Sequence, residues 1–488
     1  MRYMNNENED VNLKNILDKA RGIGSFLVTA TFFDKTKEED NLTHHVVKRD
    51  WLIDDTIQSL DKCVRMISPK PLIPVDIITP PQIMEEKKPL KIAILTHFNR
   101  MPDSFSPARA TRNQIKMLME HGHQVTLFAI EGANVNVDCE VRAVLPKFKM
   151  EKNVVNEVMK AKMIDVLKEH LPNYDIIITQ DFYIDSLITY REAVRSCGIN
   201  KPFLHFCRSG IGGAIDFEMS NARYIYLNKT DVMRFARKIG VHHNKCRVVY
   251  NEKSPEWMFG FDDITKMIVN RYHLWDRDII QTFPMCTTRM SAKGLDSAIN
   301  VFVELKRQGK KVALIIANSN GRKRVNELQD KQQWSKRIGL NENELIFTSL
   351  LADEQYKIES EVPNRVCAEL MQLSNLFIFP SAAEVGPQVL LEAAMSKNLI
   401  VANSDLPLIY DFVDKEKVIS YPFSSLNSLH YIGRDSQSIN ELAKQIIEQI
   451  DSNKADQTFR QVWRNHNSYN IYWKMLEPLL FEDMCPSN

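Results

Sequence analysis

No apolar run in the 488 residues approaches the ~20 needed to cross a bilayer as a helix, so no helical membrane span is expected. The opening stretch "MRYMNNENEDVNLKN" is polar and acidic, unlike a secretory leader. A cytoplasmic protein is expected. Charge of one sign is missing as well. The 63 Lys and Arg against 62 Asp and Glu leave +1, which argues against a general nucleic-acid or membrane-surface coat and leaves room for a local basic patch. Eight cysteines occur, but no C-x-x-C pair does, which points to reduced, buried thiols rather than a zinc or disulfide framework. No D-x-D pair stands near a strand end, and the adjacent pairs in "IDD" and "FDD" suit turns or caps. No metal is expected. Internal repeats at solenoid periods are absent too.

What is present is ordinary globular material. Hydrophobic residues make up 44% and charged residues 26%, enough for a real core, and the length suits two or three domains. Residues 1–68 read as a small ββα accessory module: "SFLVTATFF" and "LTHHVVKR" are strand-like, and "DDTIQSLDKCVRMI" has helical spacing behind an Asp cap. A proline-rich linker follows over 69–88. From 89 to 271 the runs "LKIAILTHF", "HQVTLFAI", "YDIIITQ", "KPFLHF", "ARYIYLN" and "KCRVVYN" alternate with helical segments. A second alternation over 272–435 contains "DIIQTFP", "KVALIIAN", "ELIFTSL", "NLFIFP" and "NLIVANS". Two consecutive α/β units predict two Rossmann-like domains facing each other, with the binding crevice beyond the strands' carboxyl ends. Residues 436–488 read as helices whose aromatic faces cross back to the first domain.

The stretch "SAAEVGPQVLLEAAMSKN" carries the chemistry. Glu384 lies in a loop after the run "NLFIFP", and Glu392 lies eight positions on, inside an apolar helix. Pro387 suits the first helical turn, where its missing N–H costs nothing. The free N–H groups of Gly386 and Gln388 and the helix dipole favour an anion such as a diphosphate. A loop carboxylate can accept from sugar hydroxyls, and Glu392 can take both hydroxyls of a ribose. Spacing alone equally describes one surface glutamate and one solvated glutamate on an amphipathic helix.

The order of motifs resembles the retaining family-4 glycosyltransferases of GT-B architecture. "FPSAAEVGPQVLLEAAMS", followed by "LIVANSDLPLIYDFV", is similar to their two-glutamate signature. "GHQVTLF", "KCRVVYNE" and "TTRMSAKGLDSAINVF" stand in the family's order ahead of it, and the likeness covers roughly the last four hundred residues. The resemblance implies that Arg289 and Lys293 bind the diphosphate, that Glu384, Gly386, Pro387 and Gln388 face the donor sugar and phosphates, and that Glu392 takes the ribose. It implies a nucleotide-diphosphate sugar, UDP-linked, as donor and no further cofactor. The chain departs from the pattern at Thr288, where the family has Gly, and its Arg-to-Lys spacing is one shorter. The glycine-rich turn after the first strand is absent, with Arg109 and Arg112 standing there. His205 and Arg208 in "FLHFCRSGIGG" are alternative candidates for the residue near the reacting carbon.

Three readings stay open. One is a retaining transferase acting on a carbohydrate or small-molecule hydroxyl. Another takes a hydroxymethylated DNA base as acceptor, in a phage-infected cell rather than a bacterium: "TTRMSAKG" and "VVYNEKSP" are similar to phage DNA α-glucosyltransferases. Lys147, Lys149, Lys152, Lys160 and Lys162 offer charge for phosphates there. The third is a non-catalytic nucleotide-sugar-binding subunit whose module 1–68 binds a partner.

Overall fold

The structure, a computed structural model, describes residues 88–101, 106–147, 154–182, 187–208, 216–251, 262–319, 324–351, 362–423, 436–466 and 472–482, together with two N-terminal strands. Those strands, β1 (Phe26–Phe33) and β2 (Leu42–Arg49), pair antiparallel from Phe26 opposite Arg49 to Phe33 opposite Leu42. The helix expected at 54–67 and the linker through residue 87 lie outside the described residues.

The first α/β unit is built on seven strands. They are β3 (Lys91–Leu95), β4 (Gln124–Ile130), β5 (Glu140–Leu145), β6 (Ile176–Gln180), β7 (Phe203–Phe206), β8 (Ala222–Tyr226) and β9 (Cys246–Val248). Their order is β5-β4-β3-β6-β7-β8-β9, and every neighbouring pair is parallel. Strand order reverses between β3 and β6, so the crevice of a doubly wound sheet opens beside their carboxyl ends. The alternation of β3 divides the core. Ile92 and Ile94 face one layer, and Ala93 and Leu95 face the other. The first layer holds helix α1 (Ser106–Glu120) through Ala108, Ile115 and Leu118. The second holds α2 (Glu157–His170), α3 (Ile188–Ser196) and α4 (Val232–Lys238). Gly122, at φ 81, ends α1 in the left-handed conformation that favours glycine.

The second unit carries β10 (Ile279–Cys286), β11 (Val312–Ser319), β12 (Leu345–Phe347), β13 (Leu376–Phe379), β14 (Leu399–Asn403) and β15 (Ile419–Tyr421), paired parallel as β10-β11-β12 and β13-β14-β15. Side chains join the two halves where no ladder does. The Gln281 amide donates to the Ile378 carbonyl at 3.0 Å and accepts the Ile378 N–H at 2.9 Å, standing in for a backbone pair. Ser374 and Asn375 accept from Thr282 and Ile280 in the same seam. Helices α5 (Asp263–Arg271) and α8 (Asn364–Leu373) cover one face, and α6 (Leu295–Arg307) lies on the other. Helix α7 (Val325–Ile338) follows β11. The expected division at 272 therefore falls one helix late, because Ile268 and Val269 of α5 pack with Ile280 and Ala313.

A second difference concerns the chain's last part. Helices α10 (Ser436–Gln449) and α11 (Lys454–His466) stay on the second unit, with Leu442, Ile446, Phe459, Val462 and Trp463 in its core. Asn440 also bonds Glu304 of α6 at 2.6 Å. Among the described helices of that stretch, only α12 (Trp473–Leu480) joins the first unit. Its Trp473, Leu476 and Leu480 pack with Ile92 and Leu118, and Trp473 stacks on His121 with ring centroids 3.6 Å apart. No helix among the described residues is long and apolar enough to cross a membrane.

Candidate active site between the two sheets

Strand β13 ends at Phe379, and a short loop leads to helix α9 (Gln388–Met395). Ser381 opens that loop. Its carbonyl accepts from Asn403 Nδ2 at 3.0 Å, which ties the loop to the end of β14. Its hydroxyl donates to Glu384 Oε1 at 2.8 Å. Lys293 donates to the same oxygen from the turn after β10. Both charged side chains are nearly enclosed, 10% exposed for Glu384 and 15% for Lys293. The Lys293 N–H in turn bonds the Arg289 carbonyl at 2.9 Å, so both basic residues belong to one turn, with Arg289 exposed at its edge.

Glu392 lies in the second turn of α9 with 9% of its side chain exposed. A carboxylate that deep needs a cation or several donors. The cation comes from the other unit: Arg109 Nη2, in the first turn of α1, stands 2.9 Å from Glu392 Oε1 and 3.0 Å from Gln388 Oε1.

The loop between the two glutamates is clamped to the first sheet. Asn228, just past β8, donates to the Val385 carbonyl at 2.8 Å. Asn251 donates to the Gly386 carbonyl at 3.3 Å. Thr230 bonds both oxygens of Asp411. From Asn251 a buried polar chain runs back into the first sheet. Arg208 Nη1 donates to Asn251 Oδ1 at 2.8 Å, and Arg208 Nε donates to Gln180 Oε1 at 3.1 Å. Gln180 Nε2 then donates to Gln114 Oε1 at 2.6 Å. Asp181, held at φ 56, accepts the Arg208 N–H at 2.6 Å. Arg109, Asp181, Arg208, Asn228, Asn251, Lys293 and Glu384 each follow the carboxyl end of a strand. That is where a doubly wound sheet places its ligand groups.

Some sequence expectations need correcting here. Pro387 caps α9 rather than occupying its first turn, with φ −75 and ψ 78. The Gln388 N–H is not free but donates to the Gly386 carbonyl at 2.8 Å, because the tight turn at Pro387 brings the two together. The Gln388 side chain meets Arg109 instead. His205 is a core residue of β7. It is fully buried among Phe203, Phe217 and Tyr224, and its Nδ1 lies 2.6 Å from Thr179 Oγ1. Burial pulls its pKa down to about 3. Arg208, the alternative candidate, is the one that reaches the clamp on the Gly386 loop. Sequence reasoning does not single out Gln180, Asp181 or Asn228. The signal available for the first two is a polar pair ending an otherwise apolar strand, "IIITQD".

The fold is the GT-B architecture of solved glycosyltransferase structures. The chain is similar to a glycosyltransferase of Rickettsia africae (TM-score 0.57, 13% identity, 81% of this chain and 100% of that one). It is also similar to Anabaena Alr3699/HepE solved with UDP and glucose (TM-score 0.55, 13%, 80% and 99%). A third is the sucrose-phosphate synthase of Thermosynechococcus elongatus (TM-score 0.54, 14%, 79% and 97%). At such identities the likeness is one of fold. No protein-family model matches the chain, and no curated protein matches it by sequence.

Proposed function

We propose that this protein is a retaining glycosyltransferase that moves a sugar from a UDP-linked donor to an acceptor hydroxyl. The observation that carries the reading is the pair Glu384 and Glu392, two nearly enclosed carboxylates on one loop and helix, facing the carboxyl ends of the opposite sheet. Glu392 takes the ribose hydroxyls and Glu384 orients the transferred sugar. Lys293 and Arg289 offset the charge that gathers on the diphosphate as its bond to the anomeric carbon breaks, so positioning and charge stabilisation carry the reaction without a metal. The acceptor oxygen bonds that carbon on the same face, and its proton passes to the departing phosphate. Support comes from the fold neighbours that were solved with UDP, UDP-glucose, or UDP and glucose.

The acceptor proposed is a carbohydrate or small-molecule hydroxyl. The test is to incubate the full chain with UDP-, ADP- and GDP-sugars and candidate acceptors, hydroxymethylated DNA among them. Products are read by mass spectrometry and anomeric configuration by NMR. A UDP-sugar should be consumed and the new bond should keep the donor's configuration. An inverted product would remove the retaining assignment, and modified DNA would move the acceptor to a base. Donor binding with no transfer to any acceptor would favour a binding subunit.

A further inference from the structure

Helix α1 follows β3, the strand at the switch point. In a doubly wound fold this first turn usually offers backbone N–H groups and small residues to a phosphate. Here it presents a guanidinium. Arg109 reaches across the crevice to α9 and holds Glu392 Oε1 and Gln388 Oε1 together. Both contacts run through Nη2, so Nη1 and Nε, with three of the five donors, are engaged by neither. The side chain keeps 24% of its surface exposed, more than its partner's 9%.

Resting on the function proposed above, this contact has a consequence. Glu392 Oε1 is an acceptor that a ribose needs, and Arg109 holds it. A nucleoside entering alone must take Glu392 from Arg109 and leave a guanidinium without its carboxylate. A nucleoside diphosphate brings replacement acceptors of higher charge, and a planar guanidinium binds phosphate oxygens two at a time. We propose that Arg109 is a donor-responsive arm of the first unit: its pairing with Glu392 gives way to the diphosphate when the ribose takes that carboxylate. Binding of nucleotide and seating of the first unit on the donor then become one event. Discrimination for diphosphates over nucleosides is built into the same side chain.

The test is calorimetric titration of the full chain and its Arg109→Ala and Arg109→Lys variants with uridine and UDP. The pairs adenosine/ADP and guanosine/GDP are run alongside. Arg109→Ala should bind the nucleoside more tightly and the diphosphate more weakly, so that their affinity ratio changes tenfold or more, about the size of one charged hydrogen bond. Arg109→Lys keeps charge without the fork and should fall between. It also serves if the alanine variant does not fold. Shifts of the same sign for nucleoside and diphosphate, or no shift, would overturn the inference while leaving the transferase reading intact. Failure of the unmodified chain to bind any of the three diphosphates would instead remove that reading, and this inference with it.

Discussion

Gly386 sets how closely the two halves of the crevice approach. A Cβ built there would lie 2.8 Å from Asn251 Nδ2 and 2.9 Å from Leu227 Cδ1, closer than real Cβ contacts come. Gly386→Ala must therefore lift the loop from the first sheet or push Asn251 away from Arg208. Overpacking of this kind typically costs about 1–3 kcal/mol. The variant should lose that much in urea unfolding and more than tenfold in donor turnover. A variant with unchanged turnover would show that the loop has slack. At this scale the sequence speaks clearly only where partners are near one another in the chain. Glu384 and Glu392 fall on a loop and in the following helix because strand, turn and helix follow in immediate order. Arg109 and Glu392 are 283 positions apart, and no local pattern announces their contact. Gly386 owes its constraint to Leu227 and Asn251, the latter 135 positions away.

Among the elements, strand β7 shows what burial does to a titratable group. His205 has a pKa near 3, and His97 and His466 have values near 4, in each case chiefly because burial disfavours the charged ring. In the unfolded chain each would titrate near 6.5. Between about pH 6.5 and those folded values the unfolded state binds protons that the folded state does not. Stability is therefore full above pH 6.5 and falls as pH drops, by up to about 1.4 kcal/mol per unit for each such ring. His205→Asn should flatten the dependence of the urea midpoint on pH between 7 and 5. An identical slope would mean that His205 takes up its proton as readily in the fold as in the unfolded chain. The same burial explains why a histidine beside an arginine in "FLHFCRS" is ambiguous as sequence. Alternation on the strand turns the imidazole into the core layer with Phe203, and nothing within those residues shows which layer faces a ligand. The short strands β5 and β15 are missed for a related reason, since "EVRAVL" and "ISY" are held by their neighbours in the sheet more than by an apolar run of their own.

For the molecule as a whole, the α/β architecture is legible because each buried parallel strand reads as a continuous apolar run and each covering helix has its own period. Joints between units are less legible. Helix α5 precedes the second sheet yet packs on it, and α10 and α11 stay there while α12 returns to the first, choices made by surface fit between distant segments. The crevice belongs to neither unit alone. Lys293, Glu384 and Glu392 come from one, while Arg109, Arg208, Asn228 and Asn251 come from the other. Its two carboxylates are proposed to divide the donor between them. The most direct measurement is UDP affinity and UDP-sugar turnover for the full chain and its Glu392→Gln and Glu384→Gln variants. Glu392→Gln leaves one accepting oxygen where two stood and should weaken UDP by roughly 1.5–3 kcal/mol, the cost of a charged hydrogen bond. Glu384→Gln should spare UDP and lower turnover if, as proposed, that carboxylate orients the transferred sugar. Equal losses of UDP affinity in the two variants, or no loss of affinity or turnover in either, would contradict the division and the transferase reading built on it.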